Sequence, residues 1–171
     1  MPLGDILIPE ADIARAIPRL VGRIVEDYGD TEPLLVGVMD GAMCFLADLM
    51  RAFPDSVDVA TARVQSYSGT QSGEIAVEWL PSQQDVEGRH VLLVEDIVDT
   101  GATVAALSQH LADLGAPSVE VCALLDKPSR RIYDLEVAYS GFEIPDVFAV
   151  GYGLDYNGAY RNLRDVRKMN V

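Results

Sequence analysis

Lysine occurs only at Lys127 and Lys168, and the 13 basic residues face 27 acids, for a formal net charge of −14. Nucleic-acid binding rests on basic contacts to phosphate, and attachment to anionic membrane needs a basic face, so neither partner is expected. No apolar run approaches the roughly 20 residues that cross a bilayer. The opening Met-Pro-Leu-Gly-Asp lacks the basic flank and apolar core of a secretion signal, and the expected location is cytoplasmic. Cysteine is scarce too. Cys44 and Cys122 both sit in apolar contexts and read as small core residues rather than as a disulfide framework or metal site. What is present is a hydrophobic fraction of 49% over 171 residues without low-complexity tracts, enough for one ordered globular domain.

The densest signal lies at residues 91 to 104. Val91 to Val94 form a short apolar run suited to a strand buried on both faces of a parallel sheet. Glu95 and Asp96 follow at once, Asp99 comes three residues later, and Thr100, Gly101, Ala102 and Thr103 lead into Val104, Leu107, Leu111 and Leu114 at helical spacing. A loop that closes on a helix N-terminus offers backbone N–H groups to a phosphate. The threonines add hydroxyl donors, and Gly101 admits close backbone approach. Two carboxylates at a strand end suit a sugar diol or a hydrated divalent cation.

The remaining elements follow from periodicity. Residues 10 to 28 show a helical apolar face interrupted by Pro18, which costs about 3 kcal/mol in a helix interior, so the helix begins near Pro18 or bends there. Leu34 to Met39 reads as a buried strand and Gly41 to Ala52 as a helix, with Asp40 in the turn between them as an acidic cap on that helix. Val57 to Val64 and Ile75 to Leu80 read as strands around a polar loop containing Ser66 and Tyr67, either a hairpin connection or a mobile lid. Pro81 to Gly88 reads as a turn. A helix from Thr103 to Gly115 and a strand from Ser118 to Leu125 complete a β-α-β crossover whose C-terminal end carries Asp126-Lys127-Pro128-Ser129-Arg130-Arg131, the edge where open α/β sheets bind ligands. Leu135 to Tyr139 and Phe148 to Tyr152 are strand-like, and the tail reads as a small cap over the sheet edge.

Glu-Asp-Ile-Val-Asp-Thr-Gly (95–101) resembles the PRPP (phosphoribosyl pyrophosphate) motif of the type I phosphoribosyltransferases. Asp-Lys-Pro-Ser-Arg-Arg, Gly-Phe-Glu-Ile-Pro-Asp and Val-Gly-Tyr-Gly-Leu-Asp-Tyr are similar to the 6-oxopurine branch, so the resemblance covers nearly the whole chain. It implies a type I phosphoribosyltransferase fold: a mainly parallel sheet flanked by helices, with a core of about 10–134 and a hood of 135–171 joined by the N-terminal residues. It implies Mg²⁺-dependent transfer of 5-phosphoribosyl from PRPP to hypoxanthine or guanine, in a homodimer or homotetramer. A xanthine-preferring enzyme and a non-catalytic regulator with the same fold stand as alternatives.

Carried over residue by residue, the resemblance assigns Glu95 and Asp96 to the ribose hydroxyls and, with Asp155, to metal. Asp99 to Thr103 would cradle the 5-phosphate, with Asp99 also acting as general base or hydrogen-bond acceptor for the purine, or else merely capping the helix. Gly41 and Arg161 would contact pyrophosphate. Lys127 would donate to the 6-oxo group, Phe148 would stack on the purine beside Ala149, and Asp155 could reach its 2-position. Ser66 and Tyr67 would belong to the lid. One departure stands out: the family usually has lysine where this chain has Asp40.

Overall fold

The computed structural model describes residues 3–66 and 75–170. Among these residues, a smaller antiparallel sheet joins the two ends of the described chain, with β1 (Leu3–Ile8), β9 (Val166–Met169) and β8 (Phe148–Val150) in the order β1-β9-β8. The larger sheet takes β2 (Leu34–Met39), β3 (Val59–Ser66), β4 (Ile75–Trp79), β5 (Val91–Val98), β6 (Val119–Asp126) and β7 (Tyr139–Glu143) in the order β4-β3-β2-β5-β6-β7. Only the edge strand β4 runs antiparallel to its neighbour.

The apolar runs of the central strands divide between two faces because successive side chains point opposite ways. Leu35, Leu92, Val94, Cys122 and Leu124 pack with helices α1 (Glu10–Tyr28) and α2 (Met43–Ala52). Leu34, Val36, Val38, Leu93, Val121 and Ala123 pack with Val104, Leu107 and Leu111 of α4 (Ala102–Asp113), which follows the one-turn helix α3 (Gln83–Val86). Among the described residues no helix is long and apolar enough to cross a membrane.

Several boundaries differ from the periodic reading. Helix α1 runs unbroken from Glu10, with Pro18 inside it; Pro18 lies on the exposed side while Ile13, Ala16, Ile17, Leu20, Val21 and Ile24 are buried. The amide that proline lacks is thus missing where water serves the orphaned carbonyl. Helix α2 starts at Met43, and the strand expected at Val57 begins at Val59. Within the expected turn 81–88, Ser82 and Asp85 form a reciprocal capping box that closes α3. Leu135 to Tyr139 is not a strand: Leu135 and Val137 pack beside the α4 core, and pairing with β6 starts only at Tyr139. The tail does more than cap the sheet, since β9 inserts between β1 and β8.

Candidate active site

The C-terminal ends of β2, β3 and β5 open into a cleft of ≈ 460 Å³ bordered by Asp40, Gly41, Arg63, Glu95, Asp96, Thr103, Asp155 and Arg161, among others. Strand β5 carries both of its acids inside the sheet, since pairing with β6 continues from Val91 to Val98. Glu95 is 4% exposed. Burial, reinforced by the neighbouring Asp96, raises its carboxyl well above the usual range. Burial likewise pushes Asp96 up to about 6, opposed by hydrogen bonds from backbone amides and by the charge of Arg161. One of these bonds runs from Ile97 N–H to Asp96 Oδ1 at 2.8 Å.

Gly41 explains how a second strand end reaches this pair. A Cβ there would collide with the Asp96 carboxylate, so only glycine lets the β2–α2 turn pass so close. The preceding Met39–Asp40 peptide is cis. The expectation that Asp40 caps α2 is not met: the cap residue is Ala42 and makes no side-chain bond, while Asp40 receives a hydrogen bond from Arg63 Nη2 at 3.0 Å. Its side chain turns across the sheet end because β3 places a cation there.

The β5–α4 loop is held differently. Gly101, at φ +89°, caps α4, and a Cβ at this position would press against Leu135 Cδ2 at 2.6 Å. Ala102 N–H bonds Thr100 Oγ1 at 3.3 Å, and the Thr100 carbonyl accepts from the amides of Ile132 and Tyr133, tying the loop to the segment after β6. Asp99 does not cap the helix. Its Oδ1 accepts from Arg130 Nε at 3.1 Å, and its Oδ2 lies 3.7 Å from the Nζ of Lys127. Lys127 is 5% exposed, which sets it apart from a solvated surface lysine. Arg130 also reaches Asp146 at 3.5 Å, on the loop before β8.

The third contribution comes from the C-terminal segment. Arg161 donates to the Gly153 carbonyl at 2.6 Å and pairs with Asp155 at 2.8 Å, and Gly158 N–H bonds the same aspartate at 2.6 Å. Phe148 is partly exposed on β8, edge-on to Tyr156 with ring centroids 5.6 Å apart, and Ala149 beside it is buried. The structure thus gathers Gly41, Glu95, Asp96, Thr103, Asp155 and Arg161 around one cleft, pairs Asp99 with Lys127, and sets Phe148 and Ala149 on the smaller sheet. Tyr67 and the side chain of Ser66 lie outside the described residues. Arg63 and Arg130 had no assigned role in the sequence reading. An acid at position 40, in a turn that the resemblance expects to meet pyrophosphate, was the available signal, because it calls for a nearby counter-charge.

Among the described residues no three of His, Cys, Asp and Glu converge as a ready-made metal cage. The adjacent buried carboxylates nevertheless fit magnesium, which binds through one or two carboxylates together with substrate phosphates and water.

The sequence profile of the Phosphoribosyl transferase domain matches residues 7–157, and the chain belongs to this family. It is 39% identical over 163 residues to the hypoxanthine-guanine phosphoribosyltransferase of Streptococcus pneumoniae, covering 94% of this chain and 90% of that protein. It is 42% identical over 170 residues to the hypoxanthine phosphoribosyltransferase of Salmonella typhimurium, covering 96% and 94%. A crystal structure of a hypoxanthine-guanine phosphoribosyltransferase from Bacillus anthracis superposes with a TM-score of 0.93 at 32% identity, covering 99% of this chain and all of that one. Within the family, the chain falls in the hypoxanthine-guanine branch.

Proposed function

We propose that this cleft transfers the 5-phosphoribosyl group from PRPP to hypoxanthine or guanine, yielding IMP or GMP and pyrophosphate in purine salvage. The observation that carries the reading is the pairing of buried Lys127 with Asp99, at the end of the strand next to the one bearing Glu95 and Asp96. In the reaction the ribose C1–oxygen bond to pyrophosphate breaks as a bond forms from C1 to a purine nitrogen, whose proton must leave. Asp99 accepts that proton or holds it in a hydrogen bond. Lys127, a donor without acceptor capacity, suits the 6-oxo group and disfavours the amino group of adenine.

Amides and hydroxyls of Thr100 to Thr103 at the start of α4 hold the 5-phosphate, with Gly101 and Ala102 allowing close approach. Glu95 and Asp96 accept hydrogen bonds from the ribose hydroxyls, and Gly41 and Arg161 line the pyrophosphate side. Phe148 stacks on the purine against Ala149, and Asp155 lies toward its 2-position. The family resemblance implies magnesium as the cofactor, and the adjacent carboxylates of Glu95 and Asp96 suit it. Bound magnesium would neutralise charge on the departing pyrophosphate; Glu95 and Asp96 would hold it, with Asp155 lining the same cleft.

We assign 1–171 to one phosphoribosyltransferase domain, with a core of about 10–134 and a hood of 135–171 completed by the N-terminal strand. Ile8, Ala149, Tyr152, Leu154 and Val166 share one hydrophobic cluster with α1 and α2, which supports this division of labour without a boundary. A cytoplasmic homodimer or homotetramer is the expected assembly. The test follows absorbance when the purified protein meets PRPP and Mg²⁺ with hypoxanthine, guanine, xanthine or adenine. Turnover with hypoxanthine and guanine supports the assignment, and preference for xanthine redirects it within the branch. PRPP binding without turnover would overturn it in favour of a regulator.

A further inference from the structure

Four carboxylates border the cleft, from Asp40, Glu95, Asp96 and Asp155, against the guanidinium groups of Arg63 and Arg161. Arg161 is already engaged by Asp155 and the Gly153 carbonyl. Arg63 is placed with equal care. On β3 it stands opposite Met39 of β2 and Trp79 of β4, and the pairing with β4 shifts register between Arg63 and Val64. Such an irregularity re-aims a side chain at a strand end. The guanidinium gives Nη2 to Asp40 at 3.0 Å, lies with Nε 3.1 Å from Glu78, and sits 5.4 Å from the centre of the Trp79 ring.

Stability does not account for this clamp. Arg63, Asp40 and Glu78 are each more than a third exposed, and such surface pairs contribute little. Orientation does account for it, because two carboxylates and an aromatic face fix a planar fork that would otherwise lose rotamer entropy on binding. A guanidinium has five N–H donors, and the two acids engage two of its nitrogens, leaving N–H groups to spare for an oxygen anion.

We propose that Arg63 is a binding residue for the pyrophosphate group of PRPP and for released pyrophosphate, and that Asp40 and Glu78 are positioning residues that aim it. The inference rests on the phosphoribosyl-transfer reading. It resolves the conflict of an aspartate at the mouth of a polyanion pocket: the acid serves the cation rather than meeting the ligand.

The experiment compares wild type with Arg63→Gln in three readouts: KM for PRPP, inhibition by inorganic pyrophosphate, and inhibition by the nucleoside monophosphate product. Loss of charge-assisted hydrogen bonds should weaken PRPP and pyrophosphate about 10- to 100-fold. The monophosphate, which lacks the pyrophosphate group, should change by less than about threefold, and Arg63→Lys should recover part of the loss. Unchanged pyrophosphate inhibition overturns the proposal, as does an equal loss for the monophosphate, which would signal general distortion. The effect of Asp40→Asn on pyrophosphate should differ by about threefold or more between the wild-type and Arg63→Gln backgrounds. Additive effects overturn the positioning role of Asp40. A wild-type protein that turns over no purine defeats the underlying reading, whereas an active wild type with an indifferent Arg63 defeats this inference alone.

Discussion

Two strand-to-helix turns stand side by side at the carboxyl end of the sheet, and they handle negative charge in opposite ways. The turn after β5 follows two acids kept inside the strand ladder, where burial raises both carboxyls. The turn after β2 sets Asp40 outward against Arg63, where water screens the pair. The same residue type at the same topological place is therefore a stored desolvation cost in one turn and a steering contact in the other. What separates them is the strand: β5 pairs with β6 through Val98, beyond both of its acids, whereas β2 pairs with β3 only through Met39, so that Asp40 lies past the end of its ladder.

The largest effect expected from breaking this comparison is chemical. Asp99→Asn keeps the shape of the β5–α4 turn but removes its proton acceptor, and kcat should fall by about 10² to 10⁴ in steady-state assays. A fall below about fivefold would reduce Asp99 to a partner of Lys127 and Arg130 and leave no general-base role.

Asp96→Asn should act on stability in the opposite direction. The Asp96 carboxyl rises from 3.8 to about 6 on folding, so the folded chain binds this proton more tightly than the unfolded chain does. The stability that this proton supplies is in place below about pH 4 and is lost as the pH rises through about 6. Glu95, whose carboxyl burial also raises, contributes with the same sign. At pH 8 the ligand-free Asp96→Asn protein should be more stable than wild type by roughly 1 to 3 kcal/mol, and its melting temperature should vary less between pH 4 and 7. Parallel melting profiles for the two proteins would refute this account. Next in size is Gly41→Ala, whose added methyl displaces the Asp96 carboxylate; thermal unfolding should show a loss of about 1 to 3 kcal/mol.

The β5–α4 turn was legible in the sequence because everything it needs is local: an apolar run, acids, small residues and a helical stripe within some two dozen positions. The two-faced burial of β2, β5 and β6 followed from the same short-range pattern. The pairing of Leu3–Ile8 with Val166–Met169 was not legible, because it joins distant segments and neither carries a strong alternation. Leu135 and Val137 misled for a related reason: their alternation is real, but it serves packing on the α4 side rather than a ladder. Arg63 escaped notice because one arginine in an alternating strand looks like a solvated edge, and only the fold brings Asp40 and Glu78 to either side of it.

The smallest effect gives the sharpest contrast between the turns. Asp40→Asn removes one partner of an exposed ion pair, and such pairs are worth about 0 to 1 kcal/mol because solvent screens the attraction and side-chain entropy offsets it. Arg63 keeps Glu78 and the Trp79 ring, so no buried charge is orphaned. Thermal unfolding of Asp40→Asn should therefore stay within about 1 kcal/mol of wild type, weakening further as salt is added. Asp96→Asn, the same exchange one strand away, should keep its gain in high salt because burial rather than long-range repulsion is its cause. If the two variants shifted stability equally and with the same salt dependence, the difference in burial between the two turns would not be what separates their acids.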